Sequence, residues 1–437
     1  MIEGTIKIEK VVYGGFGLGR LNKKAIFVPY VIPGEEIRIR IEKEKRDFII
    51  ASPIEVIKGS PYRQSPHCPY FTICGGCHYQ HIRDQYQPTI KEQTFREGLS
   101  RIANIDPHSI LPLLPSPKTL FYRTRVRLKV GIKDRLYLGF YRRESREIVD
   151  IDGCILAYPL INQILRHLRQ ILERQISAVQ DIREIEISVS PQEERGIIIF
   201  YTGVGVNSRR LVLIAQELSE RLGILKDVLL KHKAYVYPYS LLGKGRTESA
   251  LRFLMNGYTL LCYPGVFFQV NIEQNRYLIK KAMEFLQPNI DDQLLELFCG
   301  MGNFSMPLSK KVKRLLGVEG NPLAVKNARF NAQLNKFKNI YFINKNCLDA
   351  IDHLLSQRAN FDLLLVDPHR GGCLDELKKA VFLTPKRIVY VSCSPPTLAR
   401  DIKFLKDCGY LIEKIQPLDM FPQTYHIEAV ALLRKAR

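Results

Sequence analysis

One cysteine near the C-terminus of this 437-residue chain is a candidate nucleophile because of the residues around it. Cys393 follows the apolar run 388–392, and Pro395 and Pro396 restrict the loop behind it. A small buried thiol in the core is the alternative. Glu428 begins another apolar run, and carboxylates are seldom buried without a partner. Glu428 is therefore a candidate proton acceptor, with a surface charge at a strand start as the alternative.

Four further cysteines have a spacing suited to ligating a metal or cluster. Cys68, Cys74 and Cys77 form a C-x5-C-x2-C pattern with two glycines inside it, and Cys154 is a plausible fourth thiol. This spacing fits a four-thiolate iron–sulfur cluster and a structural zinc site equally well, and unrelated buried thiols are a weaker third explanation. If all four thiolates ligate, the group is expected to be structural or to shape RNA.

The stretch 294–304, LLELFCGMGNF, is the candidate cofactor loop. An apolar run ends at Gly300 and Gly302, where a helical pattern begins, and glycines at a strand-to-helix turn let the backbone approach a nucleotide-like ligand. Glu319 ends the next strand, about 20 residues after the loop, as expected for a residue that holds ribose hydroxyls. The third glycine of the dinucleotide fingerprint is missing, which favours S-adenosylmethionine (AdoMet). An ordinary tight turn is the alternative.

The elements that must position these residues alternate between strand and helix. Strands are expected at 340–343, 361–366 and 387–391, and Asn346, Asp367 and Cys393 follow them. Such alternation predicts an α/β fold with a doubly wound, Rossmann-like parallel sheet, in which ligands bind at the carboxyl ends of strands. We assign this C-terminal domain to residues 266–437. Helices are expected at 323–334, 349–356, 374–383 and 397–407.

The N-terminal module, residues 1–58, is predicted to be a small closed β-barrel of the nucleic-acid-binding kind. In the segment 37–41, apolar residues alternate with cations, and 14–20 is expected to be a bend-rich connection between strands. A small β domain with a solvated charged face is the alternative. The layout resembles a TRAM domain, which implies RNA binding.

The central region, 59–265, is predicted to be an α+β domain with a basic strand at 122–130. On a strand of period two, the side chains of four cations share one face, and a phosphate backbone would be their counterion. Screening by small ions is the alternative. A helix at 160–174 and strands at 185–190 and 196–204 are also expected. The four cations are Arg123, Arg125, Arg127 and Lys129.

The composition favours a polyanionic partner. The chain has 65 Lys and Arg against 44 Asp and Glu, a formal charge of +21, which favours RNA or DNA first and an acidic membrane surface second. The longest uncharged stretch, 253–272, is too polar to span a bilayer. The N-terminus has no signal-peptide pattern, so the ten cysteines are expected to be reduced. A cytoplasmic monomer without membrane partners is expected.

Together these residues resemble the RNA uracil-5-methyltransferase family, most closely its iron–sulfur-containing branch that acts on 23S ribosomal RNA. The resemblance covers nearly the whole chain and is carried by CPYFTICGGC, FFQVN, LFCGMGNF, VSCSPPTLARD and DMFPQTYHIE. It implies that Cys393 adds to uracil C6 and that Glu428 removes the C5 proton. It also implies a [4Fe–4S] cluster on Cys68, Cys74, Cys77 and Cys154, and an AdoMet site formed by Gln269, Phe298, Asn303, Glu319, Asn346 and Asp367.

Three residues depart from the family pattern. His369 stands where a proline is common, Ser394 where asparagine is common, and Glu296 where aspartate is usual. None of these changes removes an implied catalytic thiol, base or cofactor residue, so activity is expected.

Three other functions remain as alternatives. The first is the same reaction in the T-loop of tRNA. The second is an iron–sulfur redox enzyme with a nicotinamide cofactor, which the missing third glycine disfavours. The third is a non-catalytic ribosome-assembly factor, which the presence of both Cys393 and Glu428 disfavours.

Overall fold

The computed structural model describes residues 3–203, 206, 208–232 and 236–436. It contains a closed barrel, two seven-stranded sheets and a two-stranded hairpin. Val204, at the end of a strand predicted from the sequence, lies outside the described residues. Within the described residues, no helix combines the length and the apolar character needed to cross a membrane.

The N-terminal strands close into the barrel that the sequence predicts, in the order β1-β2-β3-β5-β4. Ile37 and Ile39 point into its core, while the cations between them face outward. The alternation therefore reflects one buried face and one solvated face. The strands are β1 (Glu3–Val12), β2 (Phe16–Leu21), β3 (Lys24–Pro29), β4 (Glu36–Glu44) and β5 (Phe48–Lys58).

The prediction of a bend-rich connection over 14–20 was wrong for most of that segment, because β2 begins at Phe16. Its glycines serve close packing inside the barrel. A Cβ on Gly17 would lie 2.3 Å from Cγ2 of Val31, and one on Gly19 would lie 2.8 Å from the carbonyl oxygen of Lys7. Only the turn at 13–15, with two glycines at positive φ, is a true bend.

The central sheet has the order β12-β11-β10-β9-β6-β7-β8 and packs against amphipathic helices. The predicted helix at 160–174 is present as α2, with seven buried apolar side chains along one face. The elements are α1 (Gln87–Ala103), β6 (Arg125–Ile132), β7 (Leu136–Tyr141), β8 (Ile148–Asp150), α2 (Pro159–Arg174), α3 (Ile176–Val179), β9 (Ile182–Ser190), β10 (Arg195–Thr202), α4 (Ser208–Arg221), β11 (Leu225–His232) and β12 (Tyr239–Ser240).

The C-terminal sheet has the order β17-β16-β15-β18-β19-β21-β20, with five parallel strands and an antiparallel pair at one edge. The doubly wound fold predicted from the sequence is confirmed. Its strands are β15 (Gln293–Leu297), β16 (Arg314–Glu319), β17 (Ile340–Asn344), β18 (Leu363–Val366), β19 (Arg387–Ser392), β20 (Tyr410–Leu418) and β21 (Glu428–Lys435), and the separate hairpin consists of β13 (Leu251–Met255) and β14 (Tyr258–Cys262). Its helices are α5 (Ile272–Leu286), α6 (Ser305–Ser309), α7 (Pro322–Leu334), α8 (Cys347–Ser356), α9 (Leu374–Ala380) and α10 (Pro395–Asp407).

Helix α1 packs against elements that are distant from it in the sequence. Although α1 lies within 59–265, Phe95 and Leu99 belong to the core formed by β18, β19 and α10. The chain after α1 runs beside β20, where the amide of Leu111 donates to the carbonyl of Ile415 at 2.8 Å. The hairpin of β13 and β14 likewise packs in the C-terminal core. The boundaries at 58 and 265 stay predictions.

Candidate active site

The candidate nucleophile and base lie at adjacent positions of two neighbouring strands. In the antiparallel pair of β19 and β21, Ser392 is opposite Ala429. One residue further on, at the carboxyl end of β19, the two strands present Cys393 and Glu428. Asp367 follows β18, the parallel neighbour of β19. The sheet therefore places these three side chains at one edge, where the sequence reasoning expects a ligand.

Burial raises the pKa values of Glu428, Asp367 and Cys393. Glu428 is 3 % exposed, and burial raises its pKa well above the usual range, with Asp367 adding to the rise and Arg370 opposing it. Asp367 is enclosed closely enough that burial raises its pKa to about 7. Burial also raises the pKa of the half-buried Cys393 thiol to about 11, with a further rise from Glu428 and a reduction from Arg370.

The carboxylates beside the thiol have a direct chemical consequence. An anion next to Cys393 disfavours the thiolate, whereas a cation there favours it. Arg370 is the guanidinium that acts on both Cys393 and Glu428. A second positive charge brought into the site would lower the pKa of the thiol further and allow the base to ionise.

The candidate cofactor loop has the conformation that its glycines allow. Gly300 and Gly302 have φ angles of +55° and +92°, and Phe298 also has a positive φ of +61°. The carboxylate of Glu319 accepts the amide of Gly300 at 3.1 Å and that of Asn321 at 2.7 Å. The sheet thus brings Glu319 to the loop, as its position at the end of β16 predicts. The helix that follows the loop, α6, has only five residues.

The remaining predicted cofactor residues surround the same edge in different local roles. The amides of Asn303 and Asn275 bond reciprocally at 2.8 and 3.0 Å. Asn346 is the exposed N-cap of α8 and accepts the amide of Leu348 at 2.9 Å. Gln269 is 9 % exposed and lies in the segment between β14 and α5. Whether these residues bind a cofactor stays a prediction.

Glu296, a departure from the family pattern, is a buried carboxylic acid behind the loop. It is 1 % exposed, burial raises its pKa to about 8, and Asp367 contributes to that rise. One oxygen accepts the hydroxyl of Ser305 at 2.6 Å, and the other has no partner in the structure. Its neutral form is favoured mainly because burial removes the charged form from water, and the charge of Asp367 adds to this preference.

The four candidate ligand cysteines line one cavity of about 530 Å³, as do Arg123, Arg125 and Phe267. All four are free thiols, and the electrostatic effects of Cys68, Cys74 and Cys154 reach Cys77. Burial raises the pKa of Cys74 to about 11 and that of Cys77 to about 12. In the described part of the chain, however, no three metal-ligating side chains converge on a point suitable for a single ion.

The basic strand has the predicted alternation, and carboxylates of the protein itself act as counterions for two of its four cations. Residues 122, 124, 126 and 128 are buried, and the four cations share the other face. No acid intervenes among them in the sequence, but β9 pairs with β6 and presents Glu184 and Glu186. Arg127 contacts Glu186 at 2.7 Å, and Lys129 contacts Glu184. The acids come from a segment distant in sequence.

The other two cations contact residues of the C-terminal half of the chain. Arg125 donates to the carbonyls of Val266 and Phe268, both at 3.3 Å. The guanidinium of Arg123 lies 5.6 Å from the ring centre of Phe421. These contacts join the basic strand to segments on either side of the catalytic edge.

The sequence reasoning missed several residues that shape the site. Arg370 stands three residues after Asp367, and its basic type so close to a strand end was a usable signal. Tyr13 and Tyr425 carried no such signal, because they reach the site from the barrel and from the loop before β21.

The fold and site define this protein as an AdoMet-dependent methyltransferase, and comparisons with known proteins give its family. A model of the tRNA (uracil-5-)-methyltransferase family matches residues 112–436, and a model of the TRAM domain of tRNA (uracil(54)-C(5))-methyltransferase matches residues 2–62. The chain belongs to the RNA uracil-5-methyltransferase family and carries an N-terminal TRAM domain, as the sequence predicted. It is an AdoMet-dependent RNA (uracil-5-)-methyltransferase.

Individual relatives match over their full length. An uncharacterized RNA methyltransferase of Aquifex aeolicus is 33 % identical, with 98 % of this chain and 97 % of the relative covered. The 23S rRNA (uracil(1939)-C(5))-methyltransferase RlmD of Photorhabdus laumondii is also 33 % identical, with 99 % and 96 % covered. The Pyrococcus abyssi tRNA (uracil-54, C5)-methyltransferase, solved with S-adenosyl-L-homocysteine, is similar at a TM-score of 0.74 and 26 % identity, with 99 % and 100 % covered.

Proposed function

We propose that this enzyme methylates C5 of a uridine in 23S ribosomal RNA. The observation that carries the chemistry is the placement of Cys393 and Glu428 at adjacent strand positions beside the cofactor loop. The choice of RNA is supported by the full-length relatives named as 23S rRNA methyltransferases, several of them 31–34 % identical. The alternative substrate, tRNA, is favoured by the Pyrococcus abyssi enzyme at 26 % identity.

The proposed reaction begins with addition of the Cys393 thiolate to uracil C6. The new S–C6 bond pushes the electrons of the C5–C6 double bond onto C5 and the O4 carbonyl, which makes C5 nucleophilic. Bound AdoMet would supply an electrophilic methyl group to C5, with its S–CH3 bond breaking to leave S-adenosylhomocysteine. Glu428 then accepts the C5 proton, the double bond re-forms, and the S–C6 bond breaks to return the thiolate.

The charges of the site support this order of events. Burial favours the neutral thiol of Cys393 and the neutral acid of Glu428, because it raises both pKa values. A sulfonium bound near Asp367 and the cofactor loop would place a positive charge beside both groups. We propose that Gln269, Phe298, Asn303, Glu319, Asn346 and Asp367 hold this cofactor. Binding would thus prepare the nucleophile and the base together.

We further propose that Cys68, Cys74, Cys77 and Cys154 hold a [4Fe–4S] cluster. Tetrahedral zinc requires four sulfurs at about 2.3 Å from one point. These thiols instead line a cavity of about 530 Å³, and among the described residues no single-ion site is found. A cluster is larger than an ion and suits four thiols spread around a space. With all four ligands from protein, the cluster's proposed role is structural.

The test of the function uses labelled AdoMet with separate transcripts of 23S rRNA and tRNA, followed by mapping of 5-methyluridine. We expect incorporation into the 23S transcript and none for Cys393→Ala, a loss of more than about 10⁴-fold. Cys408→Ala is the control, because this cysteine lies after α10, away from the site. Methylation of tRNA alone would favour the alternative substrate, and methylation of neither would contradict the proposal.

The cluster is tested on the same preparation. Iron and acid-labile sulfide are measured in protein purified without oxygen, for the wild type and for Cys154→Ser. We expect about four irons per chain in the wild type and a large loss in the variant. Stoichiometric zinc without sulfide would contradict the cluster.

A further inference from the structure

A turn of the N-terminal barrel lies against the active site. Between β1 and β2, Gly14 and Gly15 have φ angles of +102° and +79°. A Cβ on Gly15 would lie 3.3 Å from Cβ of His78 and 3.4 Å from Cβ of Tyr425. The turn is therefore packed closely on the loop that leads to Glu428, and glycine permits both the backbone conformation and the approach.

The barrel is also anchored to the helix that holds this loop. The hydroxyl of Thr94 in α1 donates to the carbonyl of Val11 at 3.2 Å, and Lys10 pairs with Glu97 of the same helix. Val11 packs with Tyr79 and other apolar residues beneath the turn. The position of the turn relative to the C-terminal domain is thus determined by direct contacts.

Tyr13 extends from this turn toward the nucleophile. Its ring meets that of Tyr425 edge to face, with centroids 5.5 Å apart. Its hydroxyl lies beside the Ser394 hydroxyl, and burial raises its pKa, with the charges of Tyr425, Arg370 and Cys393 also acting on it. Tyr13 nevertheless keeps 42 % of its surface exposed, so the ring is accessible from the solvent side of the site.

The surface beside the turn suits an RNA strand. An open cavity of about 540 Å³ lies there, with Gly14 and Tyr425 in its wall. Lys129, Arg142 and Arg143 line it, and Glu144 is the acid among them. These cations pair with Glu184, Glu147 and Glu144, and cations beside exposed aromatic rings are an arrangement that single-stranded RNA binds.

We propose that Tyr13 of the TRAM domain is a base-contacting residue of the active site, whose ring packs against the extruded uridine next to Cys393. The inference rests on the proposed function, since it assigns a further residue to the same uridine pocket. A flipped base loses its stacking partners and needs a new aromatic surface. In this arrangement the barrel completes the pocket as well as binding RNA outside it.

Ser394 lies where its side chain interacts with the Tyr13 hydroxyl. Ser394 follows the nucleophile directly and is 9 % exposed. A hydroxyl pair formed by Tyr13 and Ser394 can orient the tyrosine ring beside the thiol. The ring is expected to supply most of the effect, and the hydroxyl a smaller part.

The experiment compares Tyr13→Ala, Tyr13→Phe and Tyr62→Ala in the full-length, cluster-loaded protein. Tyr62 is a matched control because it is also 42 % exposed, lies just after the barrel and stacks on Tyr86 at 3.7 Å, away from the catalytic edge. Each variant is given the transcript that the wild type methylates, and the same transcript made with 5-fluorouridine. The fluorinated base traps the covalent adduct because C5 has no proton to lose.

For Tyr13→Ala we expect the single-turnover rate of adduct formation at saturating RNA to fall about 10- to 100-fold, the range expected for one lost stacking contact. AdoMet affinity and the melting temperature should stay at wild-type values. Tyr13→Phe should retain most of the rate, and Tyr62→Ala all of it. If Tyr13→Ala melts early, Tyr13→Leu, which keeps the apolar contact to Tyr425 but lacks the aromatic face, replaces it with the same expectation.

Two results would overturn the inference. One is a wild-type rate for both Tyr13→Ala and Tyr13→Leu. The other is a loss confined to RNA affinity, with normal adduct formation at saturation, which would make Tyr13 part of an outer RNA surface. A wild-type enzyme that methylates neither transcript would instead remove the proposed function itself, and the inference with it.

Discussion

Two buried carboxylates stand at the ends of the same ten-residue segment, 419–428, and their surroundings are opposite. The Lys91 ammonium contacts Asp419 at 2.6 Å and also donates to the carbonyls of Phe421 and His426, at 2.9 and 3.0 Å. All three of its donors are thereby used. For Glu428, the described part of the chain offers no ion pair or hydrogen bond to the carboxylate, although it is equally buried.

Asp419 belongs to a network of contacts that holds the loop, whereas the carboxylate of Glu428 is not part of that network. Gln87, from the same helix as Lys91, exchanges hydrogen bonds with Gln423 at 2.9 and 3.0 Å. The amides of His78 and Tyr79 donate to the carbonyl of Gln423. The cysteine-bearing segment and α1 therefore hold the loop together, while Glu428 keeps a raised pKa suited to receiving a proton.

Of the two carboxylates, the larger effect is expected for substitution of Glu428, the unpaired one, and it is an effect on methylation turnover. Glu428→Gln should lower methylation turnover by about 10²- to 10⁴-fold and accumulate a methylated protein–RNA adduct, because the C5 proton has no acceptor. The adduct is measured on denaturing gels with label from AdoMet. Glu413→Gln, at a surface pair with Arg434, is the control and should turn over normally. Normal turnover of Glu428→Gln would remove its role as the base.

The next largest effect is expected from breaking the pair of Lys91 with Asp419, and it is an effect on stability. Lys91→Met leaves the Asp419 charge buried and unpaired, so the free energy of unfolding should fall by about 3–5 kcal/mol, as measured by urea denaturation. Lys379→Met breaks an exposed pair with Asp352 and should cost about 1 kcal/mol or less. Equal losses in the two variants would show that the Lys91 pair does not hold the loop.

The charge of Asp367 is expected to have a smaller effect on the free energy of unfolding, and this effect should depend on pH. Its pKa rises from 3.8 to about 7 in the folded protein. The folded state therefore binds more protons than the unfolded state between these values, and the free energy of unfolding should fall as the pH rises through this window.

Asp367→Asn removes that dependence. Without AdoMet, the variant should be more stable than the wild type by about 1–3 kcal/mol at pH 8, less than the full pKa shift implies because the side chain keeps some solvent contact. At pH 4 the two should be alike. Urea denaturation at both pH values is the measurement, and Asp291→Asn, at an exposed position, is the control. A constant difference across pH would contradict the raised pKa.

The smallest expected effect concerns the carboxylates that pair with the basic strand. Glu186→Gln should remove the shorter of the two ion pairs of Arg127, leaving Glu184 at 3.6 Å, and raise RNA affinity about 2- to 3-fold, with a salt dependence steeper by up to about one charge. Filter binding over a salt series measures this, and the exposed Glu220→Gln on α4 should behave as the wild type. An unchanged salt slope would show that Arg127 contacts RNA while still paired, or does not contact it.

Local patterns predicted much of the fold and several of the site residues. The alternation of buried and exposed positions on β4 and β6 follows from the period of a strand, and the glycines of the cofactor loop follow from the positive φ values that the turn requires. The proximity of Cys393 and Glu428 was predictable only with the resemblance to a family. No local pattern indicates that β21 inserts between β19 and β20.

The sequence by itself predicted the doubly wound sheet, the barrel and the candidate nucleophile, base and cofactor residues, because periodicity, turn glycines and reactive side chains are local properties. Tertiary structure alone decided which charges are neutralised. Lys91 meets Asp419 across 328 residues, Glu186 meets Arg127 across 59, and Tyr13 reaches Ser394 from another domain. Coulomb interactions and burial depend on distance in space, and distance along the chain carries almost no information about it.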